Sequence, residues 1–478
     1  MKEWTISAVH DAMAKGELTC LQLVQYYLER IKKYDDKLHS IILINPNAEK
    51  EAAALDEKFK KEGFTGPLHG IPVVLKDNVE TDDMPTTAGS IALKGFEAHR
   101  NAFIVNRLKA AGALILVKAN LHEFAIWGET VSSILGPTYN PYDLTRTPGG
   151  SSGGTGAAIA ADFGIIGIGT DTINSVRSPS SANNLVGIRP TIGMVSRGGI
   201  VPYSLTQDTA GPLCRTVEDA ARTLSVIAGY DKDDEITAWS YGKEQKFEEG
   251  LECGTLKGKR IGILRSFFGK EEVNKPVNEV MDKALAILQE AGAVLVEITE
   301  NIDSAWLTSE VSVHLDDFND HLTQYLQSFP ADKIPVHSLK EIYDSGKYHP
   351  VDKGNMEDAL KLSTHSAHYN EKLLRQQTVK NKIVKLIADN QLDCIAYPHQ
   401  QLVCKIGDSQ KQRNGVLCSV TGFPSVVVPA GFTAASDTAP IGVPVGMEFI
   451  GEPWSEKRLL LLAHAYEKAA NMRKPPVL

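Results

Sequence analysis

The first sixty residues repeat apolar positions with a helical period. Thr5 or Ser7 is placed to cap a helix running through Lys15, and Thr19 to cap a second over residues 20–33. Leu21, Leu23, Val24, Tyr27 and Ile31 form the apolar stripe of that second helix. An alanine- and charge-rich stretch, 47–61, predicts a third. From Pro67 the pattern changes. Short apolar runs at 71–75, 113–117 and 165–169 predict strands, with helical text at 103–111 and 216–230 between and after them. Such alternation predicts a sheet covered by helices. Past the polar loop YDKDDE, strands at 259–264 and 293–298 flank a helix at 275–290. Residues 303–390 are mostly helical, with glycine only at Gly346 and Gly354, and read as a helical insertion over the core. Strand patterns return at 393–397, 424–429 and 443–450, and a helix over 455–471 follows them.

Composition narrows the class. A chain of 478 residues holds two or three subdomains or one large α/β unit. Its 42% hydrophobic and 23% charged residues are those of an ordinary globular protein. The net charge of −9 offers no electrostatic footprint for nucleic acid and no basic helix for an anionic membrane. The N-terminus lacks the apolar centre of a signal peptide. No stretch approaches the roughly 18 apolar residues of a membrane span, and Asp162 interrupts the best candidate. Cys20, Cys214, Cys253, Cys394, Cys404 and Cys418 are far apart, with no CxxC pair. That is not a disulfide framework, so a cytoplasmic location is expected.

The candidate chemistry lies between Pro148 and Ser175. A glycine-serine loop, 149–154, runs into a small-residue helix pattern, then a strand pattern, then a turn carrying Ser175. Two serines, Ser151 and Ser175, therefore sit at opposite ends of a helix–strand unit. Upstream, Lys76 ends the apolar run of HGIPVVLKDN. A serine hydroxyl needs a base, and a lysine can serve if burial keeps it neutral. A second serine can relay the proton. The turn before Ser175 also offers backbone N–H groups at Thr172, Ile173, Asn174 and Ser175 to a developing oxyanion, since none is proline. The glycine-serine loop is not a phosphate loop, because Thr155-Gly156 stands where Lys-Ser or Lys-Thr is needed. His365 and His368, three apart on a predicted helix, lack a third ligand, so no metal is expected.

These segments resemble the amidase signature family. The matching text is GPLHGIPVVLKDN (66–78), PTTAGS (85–90), KANLHEFA (118–125), NPYD (140–143), GGSSGG (149–154), GTDT (169–172) and SVR (175–177). VGIRPT (186–191), VSRGGIVP (195–202) and QDTAGPLCRTVEDA (207–220) continue it, as do TGFPSVVVPAGF and VGMEFIGEPWSE near the C-terminus. The resemblance implies a Ser175 nucleophile, a Ser151 relay held by a cis peptide bond, and a Lys76 base. It places Ala125, Ile126 and Trp127 beside the acyl pocket. Arg177 is assigned to the substrate site as a carboxylate contact, with a core ion pair as its other reading. Asp171 supports the loop. One departure stands out: Ile173-Asn174 occupies the place of the family's Gly-Gly, which puts the shape of the oxyanion turn and the size of the substrate in question.

The implied fold is α/β, a mixed, twisted sheet of about eleven strands covered by helices on both faces. The chain, 1–478, would be one amidase domain. Its parts would be an N-terminal helical segment (1–65), a signature core (66–230), a variable and mostly helical cap over the active site (231–390), and C-terminal strands and helix (391–478). The implied activity is hydrolysis of a small-molecule carboxamide or aryl amide, with no cofactor, no nucleic-acid partner and no membrane. A homodimer is compatible with the sequence but no residue argues for it. Two other readings stay open: the glutaminase subunit of a tRNA-dependent amidotransferase, and a binding protein whose active site has lapsed.

Overall fold

The computed structural model describes residues 3–408 and 411–478. Thr5 caps α1 (Ile6–Ala14) by accepting the Ala8 N–H, and Thr19 opens α2 (Cys20–Leu38) in a capping box closed by Gln22. α2 runs past the predicted end at residue 33 to His39, which turns the chain in a left-handed conformation. The Asp56 carboxylate of α3 (Ala48–Glu62) accepts the N–H groups of Cys20 and Leu21 and ties the two helices together.

Thirteen strands are present among the described residues: β1 (Ile41–Ile44), β2 (Pro72–Lys76), β3 (Leu114–Ala119), β4 (Val131–Ser132), β5 (Gly136–Pro137), β6 (Ile166–Asp171), β7 (Val186–Arg189), β8 (Thr209–Cys214), β9 (Arg260–Leu264), β10 (Val294–Ile298), β11 (Cys394–Pro398), β12 (Ser425–Phe432) and β13 (Pro444–Ile450). β4 and β5 form a small ribbon. The other eleven make one mixed sheet in the order β1-β3-β2-β6-β8-β7-β12-β13-β11-β9-β10. Its parallel pairs are β2 with β3, β2 with β6, β9 with β10 and β9 with β11. Every residue of β2, β3, β6, β7, β8, β11 and β13 is buried. Since side chains alternate between faces, both faces of the sheet are covered. The mixed α/β sheet of eleven strands is thus as expected.

Of the eleven strands in the main sheet, the sequence pattern missed β1, β7 and β8. β8 reads TAGPLC and holds a proline inside the sheet. Of β8, β7 pairs only with Leu213 and Cys214, so the ladder on that side stops before Pro212, where no N–H exists to donate.

The covering helices are α4 (Phe103–Ala110), α5 (Gly153–Ala160), α6 (Arg177–Ala182), α7 (Val217–Ile227) and α8 (Lys275–Glu290). A helical cap follows: α9 (Ser304–Trp306), running into a π-type turn at Leu307–Val311, then α10 (His314–Gln327), α11 (Leu339–Ser345), α12 (Lys353–Ala359) and α13 (Ala367–Asp389). α14 (Val416–Thr421) and α15 (Glu456–Ala470) complete the chain. Phe318, Leu322, Leu339 and Met356 of the cap share one apolar cluster with Ala88, Leu93, Phe124 and Tyr203 of the core loops. The cap is therefore packed onto the core rather than tethered to it. Among the described residues no helix is long and apolar enough to cross a membrane. The six cysteines are free, and only Cys253 is exposed.

Candidate active site

The glycine-serine loop is packed, not slack. A Cβ on Gly150 would lie 2.5 Å from the Glu129 carbonyl oxygen, and one on Gly154 would lie 2.2 Å from that of Asn120. Only glycine lets the loop thread between these backbones. The Gly150–Ser151 peptide bond is cis. The Ser151 carbonyl accepts the His122 N–H at 2.9 Å. His122 Nε2 in turn meets Asp352 of the cap at 2.8 Å, in a fully buried contact.

Lys76 ends β2 with no exposure to solvent. Its Nζ lies 2.7 Å from Ser151 Oγ and 2.8 Å from Thr170 Oγ1 on β6. Among the described residues it has no ion-pair partner. Burial lowers its pKa to about 7, against the weaker upward pull of Asp208 and Asp171. Near neutral pH a large share of Lys76 is uncharged. At 2.7 Å the contact works in both directions: an ammonium donates to Ser151 Oγ, and a neutral amine accepts the Ser151 proton.

The turn after β6 is braced from beneath. Asp171 accepts the Val176 N–H at 3.0 Å, Arg177 Nη2 at 2.9 Å and Arg189 Nη1 at 2.7 Å. Burial opposes its charge, but the two guanidinium groups hold its carboxyl well below the usual range. Arg177 also donates to Glu448 at 2.6 Å. This corrects the substrate-site assignment of Arg177. Its side chain is wholly buried between two carboxylates, so its charge is satisfied and none of it faces a ligand.

Above this brace, the Ile173 carbonyl accepts from Arg177 Nη2 and from the Ser419 hydroxyl. The Ser175 carbonyl accepts the Ser152 N–H at 3.2 Å, which joins the turn to the serine loop. The N–H groups of Ile173, Asn174 and Ser175 have no acceptor among the described residues. Neither Ile173 nor Asn174 adopts a positive φ, so the turn needs no left-handed residue there and accepts side chains in place of glycine. The Thr172 hydroxyl points elsewhere, donating to Asp208.

Ser175 opens into a cavity of about 360 Å³. Ala125, Ile126, Trp127, Ile173 and Tyr203 supply its core wall, and His314, Leu315, Leu362 and Lys372 supply the cap side. Arg413, on the loop between β11 and α14, completes it. His314 is pushed down to about 3 by burial and by the nearby cations Lys372 and Arg413, so it is neutral. Sequence reasoning singled out neither Thr170 nor the polar cap residues. Thr170 was in plain view inside GTDT; His314, Lys372 and Arg413 carry no local pattern. His365 and His368 are exposed on the cap, and no cluster able to hold a metal exists among the described residues.

Known proteins resemble the chain over its whole length. The family described as Amidase matches residues 22–460. A probable amidase of Arabidopsis thaliana is 35% identical, covering 100% of this chain and 92% of its own. A glutamyl-tRNA(Gln) amidotransferase subunit from Thermoanaerobacter pseudethanolicus is 33% identical, covering 99% and 97%. The solved structure of native peptide amidase from Stenotrophomonas maltophilia superposes with a TM-score of 0.89 at 34% identity, covering 99% and 98%.

Proposed function

The chain belongs to the amidase signature family, and from that premise we propose that it hydrolyses a small carboxamide or aryl amide through an acyl-enzyme on Ser175. Hydrolysis of C–N bonds is the chemistry of the family; the roles of individual residues are our reading. The observation that carries it is Lys76, a buried lysine with no carboxylate partner and a pKa of about 7, held 2.7 Å from Ser151.

In this mechanism neutral Lys76 takes the proton of Ser151 while Ser151 takes that of Ser175. Ser175 Oγ forms a bond to the amide carbon, and the carbonyl electrons move onto oxygen. The N–H groups of Thr172, Ile173, Asn174 and Ser175 are the donors proposed for that oxyanion; losing one such donor typically costs about 3 kcal/mol of barrier. As the C–N bond breaks, the relay returns its proton to the leaving nitrogen. Water then adds to the acyl ester, gives its proton to the same relay, and Ser175 leaves with a proton restored. Ala125, Ile126 and Trp127 border the acyl group. No step calls for a cofactor.

A glutaminase component of an amidotransferase is the second reading, favoured by the 33% identity of one such relative. One experiment weighs both. Release of ammonia or amine is followed across short aliphatic amides, aryl amides, anilides, amidated peptides and glutamine, with Ser175→Ala beside it. Turnover of small or aryl amides that vanishes in the variant is expected. Turnover of glutamine alone, and only with a second protein component present, would replace the first reading with the second. No turnover and no labelling of Ser175 by a fluorophosphonate would leave a binding protein.

A further inference from the structure

We propose that Arg413, steadied by Asn174, forms a carboxylate-binding subsite at the neck of the catalytic cavity, so that the amide taken by this protein carries an anionic group. The inference deepens the amidase reading and rests on it.

The position comes first. The cavity over Ser175 meets a second, more polar chamber of about 560 Å³, bordered by residues such as Asn301, Ser304 and Gln401. The two chambers share Thr308, Ser309 and Arg413. Arg413 therefore stands on the boundary the two chambers share.

The second observation is unspent hydrogen-bonding capacity. Arg413 has no ion pair among the described residues. Its Nη1 makes one long contact, 3.5 Å, to Asn174 Oδ1, and its Nη2 is buried with no acceptor. Asn174 is 1% exposed, and its Nδ2 also has no acceptor. Of these two, Arg413 borders the cavity that Ser175 opens into, and its buried Nη2 awaits a partner there; Asn174 borders neither chamber and meets Arg413 from the protein side. A buried donor without one is costly, and a native fold retains it for a reason. Arg177, only a few residues from Asn174, shows the ordinary outcome: two carboxylates and a carbonyl take its N–H groups.

Nearby charges leave Arg413 as the uncompensated one. Lys372 is committed to Asp316 at 2.8 Å. His314 is neutral, and burial keeps the Tyr203 hydroxyl protonated. In the outer chamber, Asp303 is turned onto the N–H groups of Ala305 and Trp306. A guanidinium fork without an acid is matched by a planar anion, which a carboxylate is. Ile126, Trp127, Ile173 and Leu315 give the inner wall an apolar side. The substrate that fits has an apolar body, a scissile amide at Ser175 and a carboxylate at the neck.

The test uses two matched pairs: 4-carboxybenzamide against 4-methylbenzamide, and glutaramate against pentanamide. Binding is measured by calorimetry on Ser175→Ala, and kcat/KM on the active protein, Arg413→Gln and Arg413→Lys. The anionic member of at least one pair is expected to bind and react better by about tenfold or more, the scale of a charge-assisted hydrogen bond. Arg413→Gln is expected to bring that ratio near one, and Arg413→Lys to leave part of it. Raised salt should shrink it in the unmutated site. Equal handling of both members, or a ratio that survives Arg413→Gln with its melting temperature intact, overturns the subsite. If Arg413→Gln does not fold, the preference and its salt response in the unmutated site decide. The two failures are separable. Hydrolysis of neutral amides without anionic preference removes the subsite and keeps the amidase; preferential binding of the anion to Ser175→Ala with no turnover by the active protein does the reverse.

Discussion

Two lysines are buried side by side in this sheet, and they do different things. Lys76 lies on β2 and Lys118 on the neighbouring parallel strand β3, and neither has any solvent exposure. In the strand register Lys118 is opposite Leu75, and Lys76 is opposite Ala119. The two side chains therefore leave opposite faces of the sheet. Lys118 Nζ donates to the carbonyls of Val79 (2.7 Å) and Pro85 (3.2 Å) and to Thr86 Oγ1 (3.0 Å), with the Asp77 carboxylate 3.3 Å away. Burial pulls its pKa down, and Asp77 pulls it back. Lys76 instead has two hydroxyls, which can give or take a proton. Two carbonyls and a nearby carboxylate make Lys118 a strut; Lys76, whose amine has hydroxyls as its only hydrogen-bond partners among the described residues, is able to change protonation. Burial by itself does not separate the two.

The contrast is sharpest in activity. Lys76→Met should lower kcat/KM by about 10²–10⁴-fold, the usual weight of a general base, while the circular dichroism spectrum and melting temperature hold. Lys118→Met with full stability and the same loss would erase the distinction. The next effect is in stability. Asp77→Asn leaves Lys118 buried beside a neutral amide, and should cost about 3–5 kcal/mol in urea unfolding, with turnover per folded molecule retained. A third expectation is the pH profile. In the proposed mechanism the reactive form is neutral Lys76, and a base with its pKa near 7 is neutral above that pH. So kcat/KM should climb one proton's worth across pH 7 and then level, and a profile flat from pH 5 to 9 would remove Lys76 as the base. Smallest is Thr170→Val. It deletes an acceptor of the ammonium, which disfavours the charged form, and should move the inflection down by a fraction of a unit.

Strands β2 and β6 show how much could be read without coordinates. The apolar run 71–75 predicts a strand, and β2 occupies Pro72–Lys76. Lys76 is thus the last residue of the strand, which places its amine in the interior. The run 165–169 predicts β6, but the strand continues through polar Thr170 and Asp171. Hydrophobicity cannot announce such positions, because their burial depends on partners far along the chain: Lys76 for one, Arg177 and Arg189 for the other. Lys76, Ser151 and Ser175 stood out because they fall in dense motifs. Arg177 stood in the same motif, yet its burial as a core residue rests on Glu448, 271 residues away, as well as on nearby Asp171. Arg413 and His314 lie in text with no signature at all. Long-range packing places them, and periodicity carries no trace of it.

The double hold on the Ile173 carbonyl has one further consequence. A peptide group is a rigid plate, and this one is trans, so its C=O and the N–H of Asn174 point in opposite directions. Arg177 and Ser419 grip the oxygen edge from inside the protein. The hydrogen edge is thereby aimed outward before any ligand arrives, like a compass needle fixed by its tail. In the proposed mechanism the turn then needs no flip between cycles, and Ser419, which does not line the cavity, shares with Arg177 the work of keeping it pointed.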